Sequence, residues 1–194
     1  MKIAIAGASG MVGKALTKSL TGKGHAVTAL KRGGSADQVF VNVTPEYLEG
    51  FDAVINLAGE NIAAKRWSDE QKKLIVDSRV STTSFLSDAL SKTKGSPKVF
   101  INASAIGIYG NRGSESITEE SSPGAGFLAN TCKQWEEAAR PAKREGLRVV
   151  IARLGVVLSK EGGALNKMLL PFQLGAGGVL GSGRQYMSWI EISD

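Results

Sequence analysis

Apolar residues along this chain fall into short blocks separated by polar stretches with helical spacing. Lys2–Ala6 is an apolar run of strand length, and Gly7-Ala8-Ser9-Gly10 follows as a turn. From Met11 to Leu20, the apolar Val12, Leu16 and Leu20 recur every fourth residue and share one helix face. Gly22 and Gly24 end that helix, and His25–Leu30 reads as a second strand. Strand, turn, helix and strand thus fit within one βαβ unit of about 30 residues. Three further apolar runs, Asp52–Leu57, Lys98–Ala103 and Leu147–Ala152, predict strands. Between them, Asp69–Leu90 places Ile75, Thr82, Leu86 and Leu90 on roughly one face, and Phe127–Ala139 does the same with Trp135, Ala138 and Ala139. Strands alternating with helices predict an α/β fold. Its doubly wound parallel sheet carries helices on both faces and right-handed crossovers. Past Leu158 the texture changes: Gly162–Gly183 is glycine-rich around the apolar patch Met168–Phe172. That stretch reads as a poor strand or helix and as a candidate ligand-facing loop.

Composition narrows the picture. A chain of 194 residues holds one domain, or one plus a fragment. Its 42% hydrophobic and 22% charged content excludes global disorder. Lys+Arg 24 less Asp+Glu 18 leaves +6, yet no basic run exceeds a pair such as Lys31-Arg32 or Lys143-Arg144. Nucleic acid is therefore not an expected partner, since its footprint is a basic patch or stripe; a small anionic ligand uses the same charge locally. The single cysteine, Cys132, forbids an intramolecular disulfide and fits a reducing compartment, so a cytoplasmic location is expected. No membrane partner is expected either. The uncharged stretch Met168–Gly183 contains Pro171 and several glycines, whereas a span needs about 20 mainly apolar residues. With His25 and Cys132 the only residues of their kinds, no metal site of the common zinc type is expected.

The segment Gly7-Ala8-Ser9-Gly10-Met11-Val12-Gly13 is a G-x-x-G-x-x-G between a strand and a helix. The first glycines permit a tight turn and close approach to a pyrophosphate, and the last lets helix and strand pack. The helix N-terminus offers free N–H groups and a positive dipole end. Gly7, Ser9, Gly10, Met11 and Val12 are therefore candidate cofactor contacts. Ser9 reads as a phosphate-loop hydroxyl, because a nucleophile elbow needs G-x-S-x-G around the serine. The second strand ends Leu30-Lys31-Arg32-Gly33, without the acid that binds a ribose 2′-hydroxyl. A guanidinium there suits a 2′-phosphate, so Lys31 and Arg32 point to NADP. The nearest acid, Asp37, comes five residues too late.

These residues, together with Asn56-Leu57-Ala58-Gly59-Glu60-Asn61-Ile62, Arg66-Trp67, Ser78-Arg79-Val80 and Ser104-Ala105-Ile106-Gly107-Ile108-Tyr109-Gly110, resemble the short-chain dehydrogenase/reductase superfamily. Within it they look like the atypical epimerase family, the NAD-dependent epimerase/dehydratase-like proteins. Trp135-Glu136, Arg153–Leu158, Gly162–Leu165 and Trp189-Ile190 extend the resemblance over essentially the whole chain. It implies a Rossmann fold with strand order 3-2-1-4-5-6 and NADP at the carboxyl ends of the strands, with Arg32 at the 2′-phosphate. Leu57, Ala58 and Gly59 would lie beside the cofactor, and Arg79 would be a cofactor contact or else an exposed helix charge. It divides the chain into a Rossmann dinucleotide-binding domain, 1–158, and a glycine-rich start of a substrate-binding region, 159–194. Related proteins continue past this end with most of the substrate lobe. Exposed apolar surface near Met168–Phe172, and self-association as a homodimer, are then expected.

Two departures stand out. Glu191 occupies the position where relatives read His after Trp-Ile. The superfamily's Tyr-x-x-x-Lys pair, which lowers a phenol pKa for proton transfer, is absent: the residues four after Tyr47, Tyr109 and Tyr186 are Phe51, Gly113 and Ile190. Lys133 lies on the expected helix, preceded at four by Ala129. The remaining candidate catalytic residues are Ser104, Tyr109 and Lys133, with Ser104 also a candidate cofactor contact. Their bland alternatives are a strand-end cap, a pocket wall and a solvated lysine. The function implied is that of a nucleotide-sugar epimerase-like oxidoreductase acting on a small-molecule substrate. The rival is a non-catalytic NADP(H)-binding redox sensor or interaction module.

Overall fold

Residues 1–33, 39–179 and 181–194 are described in the computed structural model; Asp37 lies outside them. In chain order the elements are β1 (Lys2–Ala6), α1 (Met11–Gly22), β2 (Ala26–Leu30), α2 (Pro45–Leu48), β3 (Ala53–Asn56), α3 (Asp69–Ser91), β4 (Val99–Ala105), α4 (Phe127–Ala139), β5 (Arg148–Leu154), β6 (Val156–Leu158), α5 (Gly163–Gln173) and β7 (Trp189–Glu191). β1 to β5 form one parallel sheet in the order β2-β1-β3-β4-β5. Side chains alternate across each strand, so β1 to β4 each feed two cores. Ala4, Ala6, Val54 and Phe100 pack with Leu86, Leu90 and Ala139 of α3 and α4. Ile3, Ile5, Ala53 and Ile55 pack on the other face with Leu16 and Leu20 of α1. The chain runs from β1 to β2 on one side and from β3 to β5 on the other. The carboxyl ends of β1 and β3 therefore flank a topological switch point, where such sheets bind ligands.

The strand order is the 3-2-1-4-5-6 that the resemblance implies, short of its outermost strand 3: β2-β1-β3-β4-β5 stand as 2-1-4-5-6. Among the described residues no strand adds outside β2; the segment after it makes one antiparallel bridge, Arg32 with Phe40, before α2. Nor does β6 join the large sheet. It pairs with β7 in register Val156 to Trp189, and α5 crosses between them. Gly155 permits this departure, since a Cβ there would come within 3.0 Å of the Ser188 carbonyl oxygen. The Met168–Phe172 patch, read as a poor helix, lies within α5; Pro171 sits near its end, where it forfeits only one internal hydrogen bond. β4 and β5 outrun the predicted strands by two residues each. Their pairing continues through Ser104–Arg153 and Ala105–Leu154, which sets those side chains next to each other. Among the described residues no helix is long and apolar enough to cross a membrane.

Candidate functional site

The glycine loop closes between β1 and α1. Gly7 has φ +81°, and a Cβ on it would lie 2.7–2.8 Å from the backbone of Leu57 and Ala58. A Cβ on Gly13 would lie 2.2 Å from the Gly7 carbonyl oxygen. Both glycines are needed by the loop itself. Gly10 is different: its Cβ position is 3.4 Å from the nearest atom, an ordinary contact, and the residue is exposed. Gly10 is also the N-cap of α1, with no side-chain cap and no acidic residue in the first turn. Ser9 is exposed beside it, and Met11 and Val12 are half-buried. The Gly10 N–H donates to the Gly7 carbonyl at 3.1 Å, so the loop offers open backbone at Gly10 and, from Met11 and Val12, first-turn N–H groups with no helical partner, the arrangement that fits a pyrophosphate. Lys31 and Arg32 are exposed at the carboxyl end of β2, and neither forms an ion pair among the described residues.

At the end of β3, Leu57, Ala58 and Gly59 are held by a buried polar network. Asn56 Nδ2 donates to Thr83 Oγ1 at 2.9 Å and to Asn102 Oδ1 at 2.7 Å, while its Oδ1 accepts from the Ala58 N–H at 3.1 Å. Trp135 Nε1 donates to Thr83 Oγ1 at 3.0 Å, tying α4 to the same knot. Ser78 on α3 accepts from the Glu60 N–H at 2.9 Å. Next to it, the Arg79 guanidinium lies against Gly59, where a Cβ would sit 3.0 Å from its Cζ. It also stacks over the Trp135 ring at 5.1 Å. The positions expected to flank the cofactor are therefore brought together here.

The three candidate catalytic side chains do not converge as free groups. Ser104 is buried and donates to Glu136 Oε1 at 2.6 Å. Arg153 clamps that carboxylate through Nε and Nη2, both at 2.9 Å, and its Nη1 donates to the Tyr109 hydroxyl at 2.7 Å. Lys133 donates to the Gly124 carbonyl at 3.0 Å. Burial pushes the Glu136 carboxyl up, but the hydrogen bonds from Arg153 and Ser104 outweigh it and hold it below its ordinary value. Burial pushes the Cys132 thiol up. Glu136 and Arg153 are central here although neither was singled out as a site residue. Their sequence separation hides a contact made only by packing α4 on β5. A hint lay in the Trp135-Glu136 and Arg153 segments of the resemblance.

Beyond these groups opens a cleft of about 1620 Å³, walled by Trp67, Tyr109, Arg112, Phe127, Arg153 and Tyr186. Trp67 and Phe127 meet edge to face at 5.3 Å, joining the loop after β3 to the first residue of α4. Among the described residues no cluster of His, Cys, Asp and Glu could hold a metal ion.

Residues 3–194 match the family model described as NAD dependent epimerase/dehydratase family. An epimerase family protein of Mycobacterium tuberculosis is 46% identical over 199 residues, which cover 99% of this chain and 65% of that protein. The chain thus spans about two thirds of the length of such relatives. The crystal structure of human epimerase family protein SDR39U1 (isoform 2) with NADPH superposes with a TM-score of 0.87 at 36% identity, covering 100% of this chain and 67% of that one. The nucleoside-diphosphate sugar epimerase from Corynebacterium glutamicum superposes at 0.84 with 39% identity, over 100% of this chain and 41% of that one.

Proposed function

Since the chain belongs to the NAD dependent epimerase/dehydratase family, we propose that it binds NADP(H) and serves hydride chemistry at a carbinol or carbonyl carbon of a small molecule, a nucleotide sugar being the leading class. The observation that carries the reading is the uncapped N-terminus of α1 behind an open Gly10, with an exposed Arg32 at the neighbouring strand end that forms no ion pair among the described residues. The NADPH in the human relative's crystal structure supports the choice of cofactor, and the name of the Corynebacterium relative supports the substrate class.

When bound, the nicotinamide would supply hydride transfer. This chain's residues would do the rest. The N–H groups of Met11 and Val12, with Ser9, would hold the pyrophosphate against the open Gly10. Arg32 and Lys31 would hold the 2′-phosphate. Leu57 to Gly59, braced by Asn56, would wall the cofactor, with Arg79 beside them. Residues 1–158 would form the cofactor-binding unit and 159–194 the start of the substrate-binding region. The clamp of Arg153 on Tyr109 would orient the phenol at the cleft wall, with Ser104 beneath it.

A second reading has its own support. Ser104, Tyr109 and Lys133 are each engaged within the protein, which favours an NADP(H)-binding module without acid/base chemistry of its own. The test is a paired titration with NADPH and NADH at fixed ionic strength, followed by NADPH oxidation assays on carbonyl compounds and nucleotide sugars. Tight NADPH and weak NADH are expected; equal affinities overturn the cofactor assignment. Turnover with any substrate in the panel excludes the second reading.

A further inference from the structure

Arg79 is a half-buried cation beside the carboxyl end of β3. It forms no ion pair among the described residues, and one donor, Nη1, reaches the Ile75 carbonyl at 2.9 Å. A guanidinium has five donors, and a partly desolvated one with so few partners carries an electrostatic cost. Burial accordingly pulls its pKa down, and the nearby Cys132 and Glu60 offset this only in part. Its place is built by other residues. Gly59 has no side chain where the guanidinium lies, Trp135 supplies a ring face beneath it, and the adjacent Ser78 anchors Glu60.

The location gives that charge a use. With Arg32 taking the phosphate end at β2, an extended dinucleotide must cross the switch point toward the carboxyl ends of β3 and β4. Arg79 sits at the first of these ends. Through Cys132 it also lies near the second, since the Cys132 sulfur is 4.0 Å from the Cβ position of Gly107. The nicotinamide ring is cationic when oxidised and neutral when reduced. A fixed cation in a partly desolvated site repels the first and not the second.

Building on the NADP(H) reading above, we propose that Arg79 discriminates the redox state of the cofactor, holding the site in favour of NADPH over NADP⁺. The preference follows from one charge and needs no turnover.

The test measures affinities of the whole chain for NADPH, NADP⁺ and adenosine 2′,5′-bisphosphate, which carries only the phosphate end. Wild type is expected to bind NADPH more tightly than NADP⁺. Arg79→Gln should shrink that ratio by roughly tenfold, the order of one partly screened charge–charge interaction. Arg79→Lys should restore most of it, and affinity for the bisphosphate should stay the same in all three proteins. A wild-type chain that binds both redox forms equally overturns the proposal, and this arm requires no variant to fold. So does an unchanged ratio in Arg79→Gln, or a bisphosphate affinity that falls with it, which would move Arg79 to the other end of the cofactor. If wild type binds neither NADPH nor the bisphosphate, the cofactor reading itself fails; if both bind and the ratio does not move, only the role of Arg79 fails.

Discussion

Gly10 and Gly13 are alike in the motif and unlike in space. Gly13→Ala drives a methyl against the Gly7 carbonyl and should destabilise the chain by roughly 1–3 kcal/mol, read as a lowered melting temperature. Gly10→Ala has room and should melt like wild type while binding NADPH less tightly, because its methyl adds bulk to the exposed loop proposed to face the pyrophosphate. Gly10→Val should abolish binding of both NADPH and NADH; surviving affinity would mean that the loop does not cradle the pyrophosphate. Arg32→Asp should weaken NADPH by about 1.5–3 kcal/mol, as for a charge-assisted hydrogen bond, and weaken NADH far less. Equal losses in the two titrations would remove the 2′-phosphate assignment.

Among the packed elements, one buried and one half-buried polar contact join helices to strands. Thr83 accepts from Asn56 and Trp135 and donates to Asn102 at 3.2 Å, so it ties α3, α4, β3 and β4 together. Thr83→Val keeps the shape, strands the Trp135 N–H and takes from Asn56 one of the two partners of its Nδ2. It should cost about 1–3 kcal/mol for the buried N–H left without a partner, measured by urea unfolding. The second contact is the Glu136–Arg153 clamp between α4 and β5. The folded-state pKa of Glu136 lies below its ordinary value of 4.5, so the unfolded chain holds the proton more tightly. The clamp's stability is therefore present above pH 4.5 and lost as pH falls through the lower, folded value. Glu136→Gln should be less stable than wild type at neutral pH, and its stability should fall less steeply below pH 4.5. Parallel losses in the two proteins on acid titration would show that the clamp does not set this slope.

Taken as one object, the chain covers its sheet unevenly. Two helices, α3 and α4, bury one face, while α1 is the helix packed in the core of the other. The β6–α5–β7 unit leaves Leu170, Phe172 and Leu174 at 61%, 58% and 73% exposure. Exposed apolar surface of this kind, expected from the Met168–Phe172 patch, should bind the dye ANS in the native state. Replacing Phe172 and Leu174 by Ser should lower that fluorescence without lowering the melting temperature, because neither side chain is buried. Unchanged fluorescence would place the dye elsewhere.

Local physics alone determined the strand–loop–helix unit at the N-terminus and the parallel class of the sheet, and it placed the basic pair that the proposed cofactor choice rests on. Apolar runs, glycine spacing and the Lys31-Arg32 strand end are short-range signals, and adjacent residues carry them. The helix Phe127–Ala139 matched its predicted bounds for the same reason. The folded molecule alone decided which glycine is open, that Arg79 rests against Gly59, and that Ser104, Glu136, Arg153 and Tyr109 form one chain of hydrogen bonds. It also decided that β6 leaves the main sheet for β7. Each of these joins residues far apart in sequence, through pairing or packing, and no local pattern encodes a partner supplied by another element.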